Sequence, residues 1–251
     1  MLKHRLIARL DVKAPWLVKP VNCEGVRRVG DPAEYARRYD ADGIDEILFV
    51  DVVASLYRRN SLHDLVRVVA DSVFVPLSVA GGVRSVSDVG GLMSVGADKA
   101  VLNTAAIERP GLIDEIAKAF GSQALVIQID AKRKGKGWEA YCDGARQPTG
   151  KDAVAWAKEC VERGAGEILV TGIDNEGTRR GFDLDLVEQV SQVRVPVVAS
   201  GGCGHSSHAV EAIKAGASGV AVAHVLHYNL ATVAGIKADM MAAGIAMRVA
   251  A

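Results

Sequence analysis

Val75-Pro-Leu-Ser-Val-Ala-Gly-Gly82 and Val195-Pro-Val-Val-Ala-Ser-Gly-Gly202 are two versions of one eight-residue pattern, 120 residues apart. Each reads as a short buried strand ended by a glycine pair, and the pattern does not recur alone. Val95-Gly-Ala97 returns 120 residues later as Ala215-Gly-Ala217, and Gly43-Ile-Asp-Glu-Ile-Leu48 returns 121 residues later as Gly164-Ala-Gly-Glu-Ile-Leu169. A repeat of half the chain points to a duplicated structural unit. Outward from these segments, eight short apolar, β-branched runs stand as strand candidates: Arg5–Leu10, Glu46–Val50, Val75–Val79, Lys99–Leu102, Ala124–Ile129, Glu167–Val170, Val195–Ala199 and Gly219–Val222. A helical stretch follows each one, which is the alternation of a parallel sheet closed on itself. The 251 residues suit one eight-fold barrel. The expected fold is therefore α/β, a single (β/α)8 TIM barrel over residues 1–251, built from half-barrels of roughly 1–122 and 123–251.

Local signals fit this frame. Asp31-Pro32 reads as an N-cap with proline at the first helical position, and Gly43 closes that helix. Thr149 reads as the cap of a helix over Lys151–Arg163 that Gly164 ends. Gly137-Trp-Glu-Ala-Tyr-Cys142 followed by Asp143-Gly144 predicts a β-hairpin inserted after strand five. Val12–Gly30 reads as a long loop after strand one, and such loops are usually functional or mobile. Thirty basic residues balance thirty acidic ones, so neither nucleic acid nor an anionic membrane is suggested as a partner. The amino terminus carries no signal-peptide pattern and no run approaches a membrane span. Four cysteines without C-x-x-C spacing suggest free thiols in a reducing cytoplasm.

Asp11 and Asp130 end the first strands of the two halves, 119 residues apart, and similar text follows each: Asp11-Val-Lys13 and Asp130-Ala-Lys132. Carboxylates just past barrel strands lie where such barrels keep their chemistry. Two in matching positions suggest an acid/base pair across one pocket, although helix caps or salt bridges are the ordinary use of aspartate there. Gly81-Gly82 with Asn103-Thr104, and Gly201-Gly202 with the turn after Val222 (Ala223, His224), could cradle one phosphate each; tight βα turns would also require the glycines. Ser85/Ser87 and Ser206/Ser207 are candidate caps of the helices that follow. Asp51 and Asp174 also end strands, as orienting or substrate-binding groups. Thr171 and Ser200 could donate hydrogen bonds to a substrate or serve the core. Lys19 could reach a phosphate or remain solvated. Arg5, Glu46, Lys99 and Glu167 begin four strands with alternating charge. They read as an ordinary ring of ion pairs or as a plug in the barrel axis. His205-x-x-His208 and His224-x-x-His227 lack the further ligands of a zinc site, so no metal is expected. Lys132–Lys136 reads as a solvated basic loop.

Over essentially its full length the chain resembles the cyclase subunit of imidazole glycerol phosphate synthase. The resemblance rests on Leu10-Asp-Val-Lys13, Val18-Lys19, Gly30-Asp-Pro32, Gly96-Ala-Asp-Lys99, Asn103-Thr-Ala-Ala106, Phe120-Gly-Ser-Gln123, Ile129-Asp-Ala-Lys-Arg133, Gly164–Leu169, Asp174, Gly177-Thr178 and Ala199-Ser-Gly-Gly202. It implies Asp11 and Asp130 as the acid/base pair, with Gly177 among the substrate-binding residues. It implies Arg5, Glu46, Lys99 and Glu167 as the gate of an ammonia tunnel along the axis. A glutaminase subunit would dock at the face where the strands begin, touching Asp98. No metal or organic cofactor is implied. Departures cluster near the substrate: Ala14-Pro15-Trp16 and Lys19-Pro20 in the first loop, Ala80 before the first glycine pair, Glu176, His224, and Arg9 in place of a small residue. Arg5-Leu-Ile-Ala-Arg-Leu-Asp11, the Ala14-Pro15-Trp16 loop and Val53-Ala-Ser-Leu-Tyr57 also resemble a paralogous branch that supplies ammonia for acetamidino-sugar synthesis. Two further alternatives are a non-catalytic barrel that binds and activates a glutaminase, and a sugar-phosphate isomerase with the same half-barrel repeat; the charged ring argues against the isomerase.

Overall fold

The computed structural model describes residues 3–54 and 62–248; residues 55–57 of the Val53–Tyr57 resemblance fall outside them. Eight parallel strands form the barrel: β1 (Arg5–Lys13), β4 (Glu46–Asp51), β5 (Leu77–Ala80), β6 (Lys99–Leu102), β7 (Leu125–Lys134), β10 (Glu167–Gly172), β11 (Val197–Ser200) and β12 (Gly219–Val222). Each pairs in parallel with its neighbour, and β10 with β7 and β12 with β1 close the ring. All eight expected strands are present. Helices α1 (Pro32–Ala41), α2 (His63–Ala70), α3 (Val86–Ser94), α4 (Thr104–Glu108), α5 (Gly111–Phe120), α6 (Ala153–Glu162), α7 (Leu184–Val190), α8 (Ser206–Lys214), α9 (His224–His227) and α10 (Val233–Ala242) surround it. The main core lies between the strands and these helices, from Leu6 and Ile47 to Ile236 and Met240.

The hairpin after strand five is present: β7 runs on past the barrel and pairs antiparallel with β8 (Gly137–Cys142), which pairs with β9 (Gln147–Asp152). The first half does the same, which the sequence reading missed. Val12–Gly30 is no irregular loop: β1 continues to Lys13, turns through a cis Ala14–Pro15 bond, and pairs with β2 (Trp16–Val21) and β3 (Glu24–Gly30). Pro20 was read as part of a loop, yet it sits in β2. The β2–β3 register shifts between Lys19 and Val21, an irregularity that accommodates a residue with no N–H to donate.

Two capping expectations differ in detail. Asp31 caps α1 by accepting from the Glu34 N–H at 2.9 Å, and Ser85 caps α3 as expected. Thr149 lies in β9 and donates to the Ala140 carbonyl; Asp152 caps α6 instead. His205, not Ser206 or Ser207, caps α8, and the Ser206 hydroxyl turns to Asp239. Asp152 and His205 each stand directly before the first helical residue, where a side-chain acceptor reaches a free N–H.

Candidate active site

Alternation along each strand divides the barrel interior into three tiers. At the strand starts, Arg5 reaches Glu46 at 2.5 Å and also bonds Glu167, while Lys99 Nζ lies 3.0 Å from Glu46 and 2.8 Å from Glu167. Each glutamate thus bridges both cations, and the Ser78 hydroxyl donates to Glu46 at 2.6 Å. The four charges predicted at the strand starts do converge. Burial opposes the Glu167 charge, yet Arg5 and then Lys99 outweigh it and hold that carboxyl low. Two residues further along, Ile7, Leu48, Val101, Val126, Leu169 and Val198 make a wholly apolar tier. Between ring and tier lies a cavity of about 10 Å³, room for about one water-sized molecule.

The third tier is polar. Asp11, on β1, is fully buried; its Oδ1 accepts from Arg9 Nε at 2.9 Å. Its Oδ2 has no hydrogen-bond donor among the described residues, and Lys19 Nζ lies 3.6 Å away. Asp130, on β7, accepts from Gln128 Nε2 and Asn103 Nδ2, both at 2.8 Å. These surroundings push the two carboxyls apart. Burial would raise Asp11, but the charges of Arg9 and Lys19 overcome it and hold the group below the ordinary carboxylate range. Burial also raises Asp130, and there Arg9, Gln128 and Asn103 do not compensate, so its carboxyl stays above that range. Two carboxyls with opposed shifts can divide the roles of base and acid.

Asp130 opens onto a cavity of about 900 Å³ that is also lined by Gly81, Gly82, Asn103, Thr104 and Asp51. The other predicted residues lie elsewhere. Lys19 is buried and ion-paired with Glu176, not solvated and not facing an open phosphate site. Thr171, Ser200, Gly201, Gly202 and Ala223 are buried, with His224 and Gly177 half-buried. The β2–β3 hairpin covers this side: Asn22 N–H donates to the Glu176 carbonyl at 2.8 Å, and a Cβ on Gly177 would meet Val21 Cα at 2.8 Å. The two cradles nevertheless share a backbone. Gly81, Gly82, Gly201 and Gly202 all have φ between 78° and 110°, and Asn103 and Ala223 both precede short helices at φ −131°. At Gly202 a Cβ would lie 2.1 Å from the Gly181 carbonyl oxygen, so packing alone demands that glycine.

Asp51 accepts from the Val53 N–H at 3.0 Å, and exposed Asp174 from the Arg133 N–H at 3.0 Å. Asp98 is exposed and accepts from the Leu77 N–H at 2.8 Å. The histidines serve the fold: His205 caps a helix, His208 accepts from Gly204, and buried His227 bonds the Tyr39 hydroxyl at 2.7 Å. Sequence reading missed Gln128, although its position two residues before Asp130 puts it on the same inward face. Arg9 stands in the same relation to Asp11. All four cysteines are free, and among the described residues no helix is long and apolar enough to cross a membrane.

Comparison with known proteins agrees with this geometry. Residues 5–232 match the sequence profile of the family described as histidine biosynthesis protein. A Myxococcus xanthus protein named imidazole glycerol phosphate synthase subunit HisF is 50% identical over 250 residues, 99% of either chain. The Pyrococcus furiosus protein of that name is 46% identical over 249 residues, again 99% of both. A Legionella pneumophila one is 55% identical over 206 residues, 81% of this chain and 97% of its own. With eight closed strands, paired aspartates and a repeat written twice, the chain belongs to the histidine biosynthesis protein family.

Proposed function

We infer that this protein is the cyclase subunit of an imidazole glycerol phosphate synthase, an enzyme of histidine biosynthesis that works with a glutaminase. The observation that carries the reaction is the opposed pair, Asp11 held as a carboxylate and Asp130 favoured as an acid, at one end of an apolar interior closed by a charged ring at the other. Ammonia released by the glutaminase would pass the Arg5, Glu46, Lys99, Glu167 ring and cross the apolar tier. That tier holds no group that would protonate it, and ammonium is not nucleophilic. At the mouth it would add to the carbonyl of a bisphosphorylated open-chain ribulosyl aminoimidazole and lose water to give an imine. Ring closure then breaks the bond to the departing carboxamide ribotide. Asp11 Oδ2, without a hydrogen-bond donor, would take a proton, and Asp130 would return one to the leaving nitrogen.

Gly81, Gly82, Asn103 and Thr104 would hold one phosphate in the open cavity. Gly177, Gly201, Gly202, Ala223 and His224, with Lys19, Thr171 and Ser200 nearby, would hold the other once the hairpin lifts. The glutaminase would dock where the strands begin. Asp98 is exposed there, and Phe74, just before β5, is 87% exposed, an apolar anchor for a partner.

The test is purified protein with ammonium and the bisphosphorylated substrate, following consumption of the substrate and release of the carboxamide ribotide. Turnover is expected. The covered second cradle favours one further reading, ammonia supply to a separate sugar-modifying acceptor. Absence of turnover, with a bound glutaminase still activated, would select it and sink the cyclase.

A further inference from the structure

Arg9 is a cation set into the barrel mouth and only 5% exposed. Its Nε donates to Asp11 Oδ1 at 2.9 Å, and its Nη1 donates to Thr171 Oγ1 at 3.2 Å and Ser200 Oγ at 3.0 Å. The side chain therefore starts on β1, crosses over β12, and ends on β10 and β11. The register sets Ile7 against Ala221 and Ala8 against Val222, so the small Ala223 stands next to Arg9 on that path. Nη2 has no hydrogen-bond acceptor among the described residues, and Arg9 lines the 900 Å³ cavity. A buried guanidinium locked on two of its edges by three side chains is a fixed device, and its remaining edge faces the space where the reaction centre would be.

We propose that Arg9 is a positioning residue of the cyclisation. Held by Asp11, Thr171 and Ser200, it keeps the Asp11 carboxylate aimed and charged as the proton acceptor, and it offers Nη2 to an oxygen of the open-chain substrate. The inference deepens the cyclase reading and rests on it for the substrate, but not for the Asp11–Arg9 relation. Because Thr171 and Ser200 accept from Arg9, their hydroxyl protons point away from it, so both hydroxyls act as donors to whatever else lies at the mouth. Other titratable groups also face Asp11: Lys19 from β2, Glu176 from the segment after β10, and His227 from α9; Asp130 acts on Arg9 from β7. Lys19 is shared with Glu176 and lies 3.6 Å from Asp11, so Arg9 is its nearer and better-aligned partner.

The experiment compares wild type, Arg9→Lys and Arg9→Met by carbon NMR titration of labelled aspartate carboxyls and by ammonium-dependent turnover against pH. The expected result is an Asp11 carboxyl that titrates below the ordinary range in wild type, stays low in Arg9→Lys, and moves up in Arg9→Met. Turnover in Arg9→Met should fall about 100-fold, the scale of lost acid–base assistance, with its acid limb displaced to higher pH. Arg9→Lys should keep the limb but lose turnover, because an ammonium cannot bridge three partners. An unmoved Asp11 titration in Arg9→Met would overturn the proposal even in a protein without cyclase activity. A shifted titration with no wild-type turnover would leave the Asp11–Arg9 relation standing and remove the cyclase reading. If Arg9→Met fails to fold, Arg9→Lys decides: full turnover with an unchanged acid limb would also overturn the proposal.

Discussion

Lys99→Met tests whether the ring at the strand starts is a gate or only a brace. Wild type balances two cations, Arg5 and Lys99, against Glu46 and Glu167, with both glutamates nearly buried. Removing Lys99 leaves the ring at net −1. Breaking a buried pair costs about 3–5 kcal/mol. Glu46 keeps Arg5 at 2.5 Å and Ser78 at 2.6 Å, and Glu167 keeps Arg5, so the lower end, about 3 kcal/mol, is expected. For a chain of this size that corresponds to a fall of roughly 6–12 °C in Tm. The double variant Lys99→Met/Glu46→Gln restores neutrality and should recover most of it. The sign with pH follows from Glu167. Its folded carboxyl is depressed, so its stabilisation is present above the unfolded carboxylate range and disappears as pH falls through the folded one. Lys99→Met weakens that depression, so its deficit is largest near neutrality and narrows in acid. Calorimetry and two turnover assays well below the lower Tm read the outcome. Glutamine-supported turnover should drop while ammonium-supported turnover survives. Equal loss of both would refute the gate, and an unchanged Tm would refute the energetic argument as well.

Asp11→Asn and Asp130→Asn should each cut ammonium-dependent turnover by about 100-fold or more while circular dichroism stays native; wild-type turnover in either variant removes its acid or base role. Gln128→Ala deletes a donor to the Asp130 carboxylate, so that already raised carboxyl moves further up and the basic limb of the pH profile shifts to higher pH; a downward shift would contradict Asp130 as the acid. His227 is driven by burial to about 4, so the unfolded chain takes up its proton first and stability drains away as pH falls from the ordinary histidine value toward 4. His227→Gln should flatten that slope by roughly 2–4 kcal/mol, and denaturant melts at both ends of the window would show it. Phe74→Glu should weaken glutaminase binding in calorimetric titration and leave ammonium-dependent turnover intact, and unaltered affinity would move the docking site elsewhere.

The barrel strands were legible because each is short and apolar and several recur at offsets of 119–121 residues, so Val75–Gly82 and Val195–Gly202 vouch for each other. The placement of the two aspartates and of the charged ring was legible for the same reason, since strand ends and strand starts project onto opposite mouths. Val12–Gly30 was not. Its prolines, its glycines and an exposed Trp16 look like loop text, and only pairing with the extended end of β1 turns them into strands. Arg9 was visible as an oddity but not as a bridge, because its partners lie 162 and 191 residues away in sequence. Lys19 illustrates the remaining limit. A lysine on a loop-like segment reads as solvated or phosphate-bound, and burial against Glu176 exists only once the hairpin has folded over the second half.

That hairpin gives a nearly two-fold symmetric barrel a direction. Gly81, Gly82, Asn103 and Thr104 face an open cavity, whereas Gly201, Gly202 and Ala223 are buried, with Gly201 against Glu176, the partner of Lys19 from β2. On the function proposed above, a rod-shaped molecule with an anion at each end would therefore meet one open berth and one covered. Its first end can settle at diffusive speed, but its second must wait for the Lys19–Glu176 pair to break, and the negative charge it brings is itself a competitor for Lys19. Loading would then be sequential and polar, so that a half-length molecule carrying one phosphate would occupy the open side without ever unsealing the other.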